Sequence, residues 1–299
     1  MKAAFDSSPL RARYATKSRI TSRSVEIFTG RLALVAGAAI MLTFILFSLA
    51  PSLFTSYSPK EMFTPWLRPC AEHVLGTNDM GYDIFTELVY ATGRTLTVGL
   101  VSALVALAFG SLVGILAGYG GILGSFFNGL VNVFLMIPKL PVVIVLAAFA
   151  GGGQLQIILI IAAFGWVGTA RAVRAKVLSL KNAPFIDALK AAGYSPLRIT
   201  FGHILPNVRE VAVARYVVTV ASSIMTEATL SFLGMGDVSS PTWGTMINFA
   251  YNRGGFLMEA YNWLLAPGVA IMLLVLSFYF INYFLEHRIS RVSGGAYLD

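Results

Sequence analysis

From Thr95 to Pro138 the chain carries no charged side chain. About 20 apolar residues cross the hydrocarbon core of a bilayer, so this run is too long for one straight span and fits two joined by a tight turn. The turn formers Gly118-Tyr119-Gly120-Gly121 through Asn128-Gly129 supply that connection. The pattern predicts spans over Thr95–Ala117 and Leu130–Ala150, the second kinked around Lys139 by Pro138 and Pro141. Composition agrees: 57% of the residues are hydrophobic and 12% charged, where a soluble domain carries about twice that charged share. Backbone polar groups inside lipid must pair within their own segment, which makes the expected fold class an all-α polytopic membrane protein.

Charge distribution sets the expected topology. Arg11, Arg13, Lys17, Arg19 and Arg23 outweigh Asp6 and Glu26 in the segment 1–30, which the positive-inside rule keeps in the cytoplasm. Residues 31–51 read as a first transmembrane helix, since the apolar run is of spanning length and no small-residue cleavage site follows; a signal peptide is the competing reading. Residues 52–94 hold Glu61, Glu72, Asp79, Asp83 and Glu87 against Lys60, Arg68 and Arg94, an extracytoplasmic balance. The stretch from His73 to Asp83 is expected to be an ordered loop before a helix starting near Ile84, with a metal site at His73, Asp79 and Asp83 the weaker reading. The five-helix core, 95–286, continues with a span over Leu155–Ala170, a basic cytoplasmic loop 171–207, a span over Asn207–Met235, and an extracytoplasmic loop 236–263. In that last loop Trp243, Tyr251, Tyr261 and Trp263 suit an interfacial, partly re-entrant segment. A sixth span over Leu264–Leu285 returns the tail, 287–299, to the cytoplasm, so both termini lie inside. The net charge of +8 is thereby a matter of topology, and no aromatic-basic face suggests nucleic acid.

One polar run, Asn182 to Asn207, interrupts the apolar pattern. Pro184 suits a first helical turn, Asp187 complements the helix dipole, Gly193 closes the helix and Ser195-Pro196 prevents its continuation. A helix of about two to three turns is expected. Phe185, Leu189 and Ala192 fall on one face with Ile186 beside them, in surroundings made basic by Lys181, Lys190 and Arg198. A greasy face in a water-side loop suits a partner protein; the alternative is a connecting helix packed on its own chain.

Lys139 in span three is expected either to line a translocation pathway or to snorkel. Glu227 in span five is expected to line that pathway or, with Thr226, Thr229 and Ser231 for company, to hold helices together, the second being preferred. The sequence has no P-loop, nucleophile elbow or zinc-protease motif, so neither catalytic nor metal-binding residues are assigned.

The polar run resembles the EAA loop of ATP-binding-cassette importer permeases. Asp187-Ala188-Leu189, Gly193 and Leu205-Pro206 stand at that family's spacing, with Asp in place of Glu and Leu in place of the second Ala. His203-Ile204-Leu205-Pro206-Asn207 is similar to the version in the dipeptide, oligopeptide and nickel branch. So are His73 to Asp83, Glu227-Ala228-Thr229-Leu230-Ser231-Phe232-Leu233-Gly234, and Pro241-Thr242-Trp243-Gly244. The resemblance implies a type I importer permease fold and a subunit that imports small peptides, or a related solute such as a nickel chelate, by alternating access. It implies as partners a homologous second permease, two ABC ATPase subunits that bind ATP and magnesium, an extracytoplasmic solute-binding protein and the lipid membrane, with no cofactor in this chain. The coupling residues would be Phe185, Ile186, Asp187, Ala188, Leu189, Gly193, Tyr194, Ser195 and Pro206. A stand-alone secondary transporter or channel is the rival from another class, and an exporter half or assembly scaffold is a third reading.

Overall fold

A computed structural model describes residues 30–295. Apart from Gly30, the basic segment 1–30 lies outside the described residues, as does the end of the tail. Ten α-helices follow in order: α1 (Gly30–Leu49), α2 (Ile84–Tyr119), α3 (Gly121–Met136), α4 (Lys139–Ala150), α5 (Gln154–Lys181), α6 (Pro184–Ala191), α7 (Pro196–Ile199), α8 (Leu205–Leu230), α9 (Trp243–Asn252) and α10 (Tyr261–Gly295). Five of the helical runs are long and apolar enough to cross a membrane, and the bent pair α3/α4 makes a sixth candidate. Among the described residues the β structure amounts to one isolated bridge, Thr77 to Asp83.

The spans pack through small residues. Gly110, Gly114 and Gly118 of α2 form a stripe one turn apart. A Cβ on them would come within 2.5 Å of Trp166 O, 2.6 Å of Ala170 O and 2.6 Å of Val177 Cγ1 respectively, so α2 and α5 touch backbone to backbone. Lipid is as apolar as leucine, so helices in a bilayer gain little by hiding greasy side chains and associate instead through such close approach. Gly99 repeats the device against Ile224 of α8, and Gly37 brings α1 against Ser277 and Phe280 of α10. Large apolar side chains such as Leu104, Leu112 and Phe149 point outward, where lipid is their solvent.

Several sequence expectations change. The helix expected near Ile84 begins there and runs unbroken into span two, so residues 84–94 are its first turns. The expected turn from Gly118 to Gly129 shrinks to Gly120, whose φ of +92° ends α2, and the helix resumes at once. The helical structure around the expected third span therefore begins at Gly121, not Leu130, and runs to Ala150 as two segments bent by 85°. Pro138 causes the bend: it forces Ile137 out of the helical region, to ψ 125°. Pro141 sits in the first turn of α4, where a missing N–H costs nothing. Trp243 and Trp263, expected to face the interface, are fully buried within the protein. Trp243 donates from Nε1 to Leu88 O at 3.0 Å and meets the Phe44 ring edge-on at 5.1 Å. For Trp243 the first turn of α9 explains this, because Trp243, Gly244, Thr245 and Met246 are all buried; Trp263 meets the Trp66 ring edge-on at 6.0 Å.

The glycine stripe yields a direct test. Gly114→Val places methyl groups where Ala170 O and Val173 already stand, and is expected to cost at least about 1–3 kcal/mol of unfolding free energy in mixed micelles. Gly129→Ala, which meets open space in α3, is expected to be neutral or to stabilise by up to about 1 kcal/mol in the same measurement.

Candidate functional site

The short helix α6 is built as its sequence dictates. Pro184 occupies its first turn, Asp187 lies in that turn and pairs with Lys190 Nζ at 2.8 Å. Gly193, with φ +80°, closes it. Its N–H donates to Lys190 O at 3.0 Å and the Tyr194 N–H to Leu189 O at 3.1 Å, the two bonds of a Schellman cap, which only a residue at ease with positive φ completes without strain. Ser195 then starts α7: its carbonyl accepts from Ile199 N at 3.0 Å.

The helix is seated by one side chain. Ile186 is buried in a cluster with Val173 and Val177 of α5, Ile199, Ile204 and Val208, with Leu189 and Tyr194 packed against it. Leu189 thus turns inward with Ile186, and the expected single face of Phe185, Leu189 and Ala192 divides. Phe185, Ala188 and Ala192 remain exposed together, at positions i, i+3 and i+7. Asp187 and Ser195 are exposed beside them. Tyr194 is half-buried and receives the Arg198 guanidinium over its ring at 4.6 Å. Pro206 is exposed in the first turn of α8. Because it has no N–H, the α ladder gives way there to a π turn, Thr200–Ile204, in which the Leu205 N–H reaches Thr200 O. Asn207 Nδ2 restores a donor to His203 O at 2.7 Å. Sequence reasoning did not single out Phe201 in that turn, which is 66% exposed; its apolar bulk beside Gly202 in a polar stretch was the available signal.

At the opposite end of α8, Glu227 is buried and its Oε1 accepts from Ser231 Oγ at 2.6 Å and Thr242 Oγ1 at 2.7 Å. Thr242 caps α9 in a capping box with Thr245. Gly244 lets α9 approach: a Cβ there would stand 2.8 Å from Ala228 Cα and Ser231 Cβ. The Trp243 N–H donates to Thr95 Oγ1 at 3.2 Å. The stretches 227–234 and 241–244, apart in sequence, therefore lock together in one polar joint. Lys139 lies elsewhere: its Nζ donates to Thr226 Oγ1 at 3.4 Å and ties α4 to α8.

Beyond that joint, a cavity of about 540 Å³ lies between the 52–83 loop, the first turns of α2, and α9, lined among others by Asn78, Tyr82, Glu87, Arg94 and Arg253. Its wall is an ordered polar mesh. Asn78 Nδ2 donates to Glu87 Oε2 at 2.8 Å, Arg253 pairs with Asp79 at 3.5 Å, and buried His73 meets Asp83 Oδ1 at 2.9 Å. Asp83 Oδ2 in turn accepts from Thr86 N and Thr86 Oγ1 at 2.8 Å each, capping α2. His73 and Asp83 thus serve the start of a helix, and Asp79 faces an arginine.

The Glu227 joint predicts a graded response. Glu227→Ala deprives the Ser231 and Thr242 hydroxyls of their acceptor and is expected to cost about 1–3 kcal/mol. Glu227→Gln retains an acceptor oxygen and is expected to fall between that variant and the parent in thermal unfolding of the purified protein.

Comparison with known proteins adds the following. The family described as "Binding-protein-dependent transport system inner membrane component" matches residues 110–291. The dipeptide transport system permease protein DppC of Alkalihalophilus pseudofirmus is 34% identical over 282 residues, 93% of this chain and 91% of that one. The oligopeptide transport system permease protein OppC of Lactococcus lactis subsp. cremoris is 28% identical over 272 residues, 89% of this chain and 92% of that one. Among solved structures, the MetNI methionine ABC transporter in an inward facing conformation superposes with a TM-score of 0.52 at 22% identity, over 69% of this chain and 95% of that one, a likeness of fold.

Proposed function

The chain belongs to the family of binding-protein-dependent transport system inner membrane components, and from that premise we propose that it is the multi-pass inner-membrane permease of an ATP-driven importer of small peptides. The dipeptide and oligopeptide permeases it resembles along nearly their whole length support the solute class. The chain itself breaks no bond. ATP and magnesium belong to two separate ATPase subunits, a solute-binding protein delivers the peptide from the far side, and a homologous second permease completes the pathway.

In this reading α6 is the coupling helix on the cytoplasmic face. The observation that carries it is the division of labour between adjacent residues: Ile186 is buried in the membrane-helix platform, whereas Phe185 is 44% exposed. A partner that grips Phe185, Ala188 and Ala192 thereby pulls on α5 and α8 through Ile186. Alternating access then needs only that the two permease conformations bind the ATPases with different free energy.

Phe185→Asp leaves Ile186 and the Gly193 cap intact. It is expected to lower ATP-dependent peptide uptake in reconstituted vesicles at least about tenfold, the scale of an interface hot spot, with the protein still present in the membrane. Asp187→Arg combined with Phe185→Asp, or Gly193→Pro, is expected to do the same. Uptake equal to the parent in these variants would remove the coupling role.

A further inference from the structure

Among the described residues Arg215 has no carboxylate partner. Arg215 of α8 lays its guanidinium on the backbone of Gly168 in α5, so closely that a Cβ at Gly168 would stand 2.5 Å from Nη2 and 3.6 Å from Cζ. Gly168 lies roughly 20 Å along the axis from either end of α5, at the end of the uncharged part of that helix, which Arg171 closes. Arg215 is half-buried, its Nε is buried without a hydrogen-bond partner, and no carboxylate among the described residues pairs with it. The nearest acid along α8, Glu210, is exposed and five residues away, on another side of the helix. One turn along α5 from Gly168 stands Arg171, and beyond it Arg174, whose Nε is also buried and unpartnered. Arg215 and Arg174 thus each keep a buried Nε donor without a partner, and Arg171, between Gly168 and Arg174 on α5, is exposed.

An ionised side chain within a span is expensive unless it meets water or an opposite charge, and a planar guanidinium fork matches an oxyanion with two parallel hydrogen bonds. We infer that Arg215, seated on Gly168 with Arg171 one turn away, binds an oxyanion supplied from outside this chain: the carboxylate of the peptide in transit or the phosphate of an acidic lipid. The glycine is part of the site, since any side chain at 168 would displace the guanidinium. The carboxylate source rests on the peptide-import reading above; the phosphate source does not.

The whole importer is reconstituted in vesicles of phosphatidylcholine alone and of phosphatidylcholine with phosphatidylglycerol. Uptake of labelled dialanine and dialanine amide is then compared for the parent, Arg215→Gln and Arg215→Lys. If the peptide carboxylate is the ligand, Arg215→Gln lowers dialanine uptake about tenfold, the worth of a charged hydrogen-bonded pair, leaves the amide unchanged in both lipids, and Arg215→Lys recovers part of the loss. If the lipid phosphate is the ligand, phosphatidylglycerol raises the parent's ATPase rate and the uptake of both peptides, and Arg215→Gln abolishes that dependence. Arg215→Gln matching the parent throughout, or losing both peptides equally in both lipids, overturns the site. Failure of the parent to import either peptide counts against the peptide reading alone. The ATPase rates then decide the site, and their indifference to phosphatidylglycerol in the parent overturns it.

Discussion

The contact between the glycine stripe of α2 and the small and branched residues of α5 holds the rest of this molecule in place. Val173 and Val177 are its hinge pins. Each lies within 3 Å of a Cβ built on Gly114 or Gly118, and each also belongs to the cluster that buries Ile186. The same two valines therefore touch α2 on one side and the short helix α6 on the other. In water such a junction would be one hydrophobic contact among many. In lipid, where burial of greasy surface supplies little drive, close packing of backbone on backbone is what fixes one helix against another. Anything that moves α6 must move α5, and anything that moves α5 must carry α2.

The far end of α8 is held by different chemistry. There a carboxylate, two hydroxyls and a capping box bind α9 into the bundle, and the buried indole of Trp243 closes the joint. A helix anchored by packing at one end and by hydrogen bonds at the other transmits displacement along its length without melting. Between these anchors Arg215 leans on Gly168. The α3/α4 pair is the looser part: it bends at Pro138 and reaches α8 through Lys139 and Thr226.

Much of this was legible in the sequence, for physical reasons that differ from site to site. The spans were legible because uncharged length is diagnostic in itself, and the short helix because Pro184, Asp187 and Gly193 each have one backbone use at their positions. The candidate coupling residues came from the resemblance to a permease loop, yet which of them face inward did not. A two-turn helix flanked by basic residues looks the same whether Ile186 or Leu189 is the anchor, and both proved to be drawn inward by α5 and α8. The glycines of α2 were misread at one end: Gly118 counts as a turn former locally, whereas its place four residues after Gly114 and eight after Gly110 makes it packing surface. The burial of the two tryptophans was not legible because interfacial and buried indoles share a composition; for Trp243 the close approach allowed by Gly244 is a property of the folded chain. Arg215 was not singled out, since its lack of a partner is a property of three dimensions.

The central claim is that α6 moves as one body with the membrane helices that seat it. It is tested most directly by the distance between spin labels at Ala188 of α6 and Ala175 of α5, both exposed, placed in a chain whose single cysteine, Cys70, has been replaced by serine. In the assembled transporter that distance is predicted to be the same without nucleotide and with ATP bound, while the distance from Ala188 to the paired permease changes. A change within this chain, with the separation from the paired permease constant, would show a helix that swings on its loop and would contradict the account.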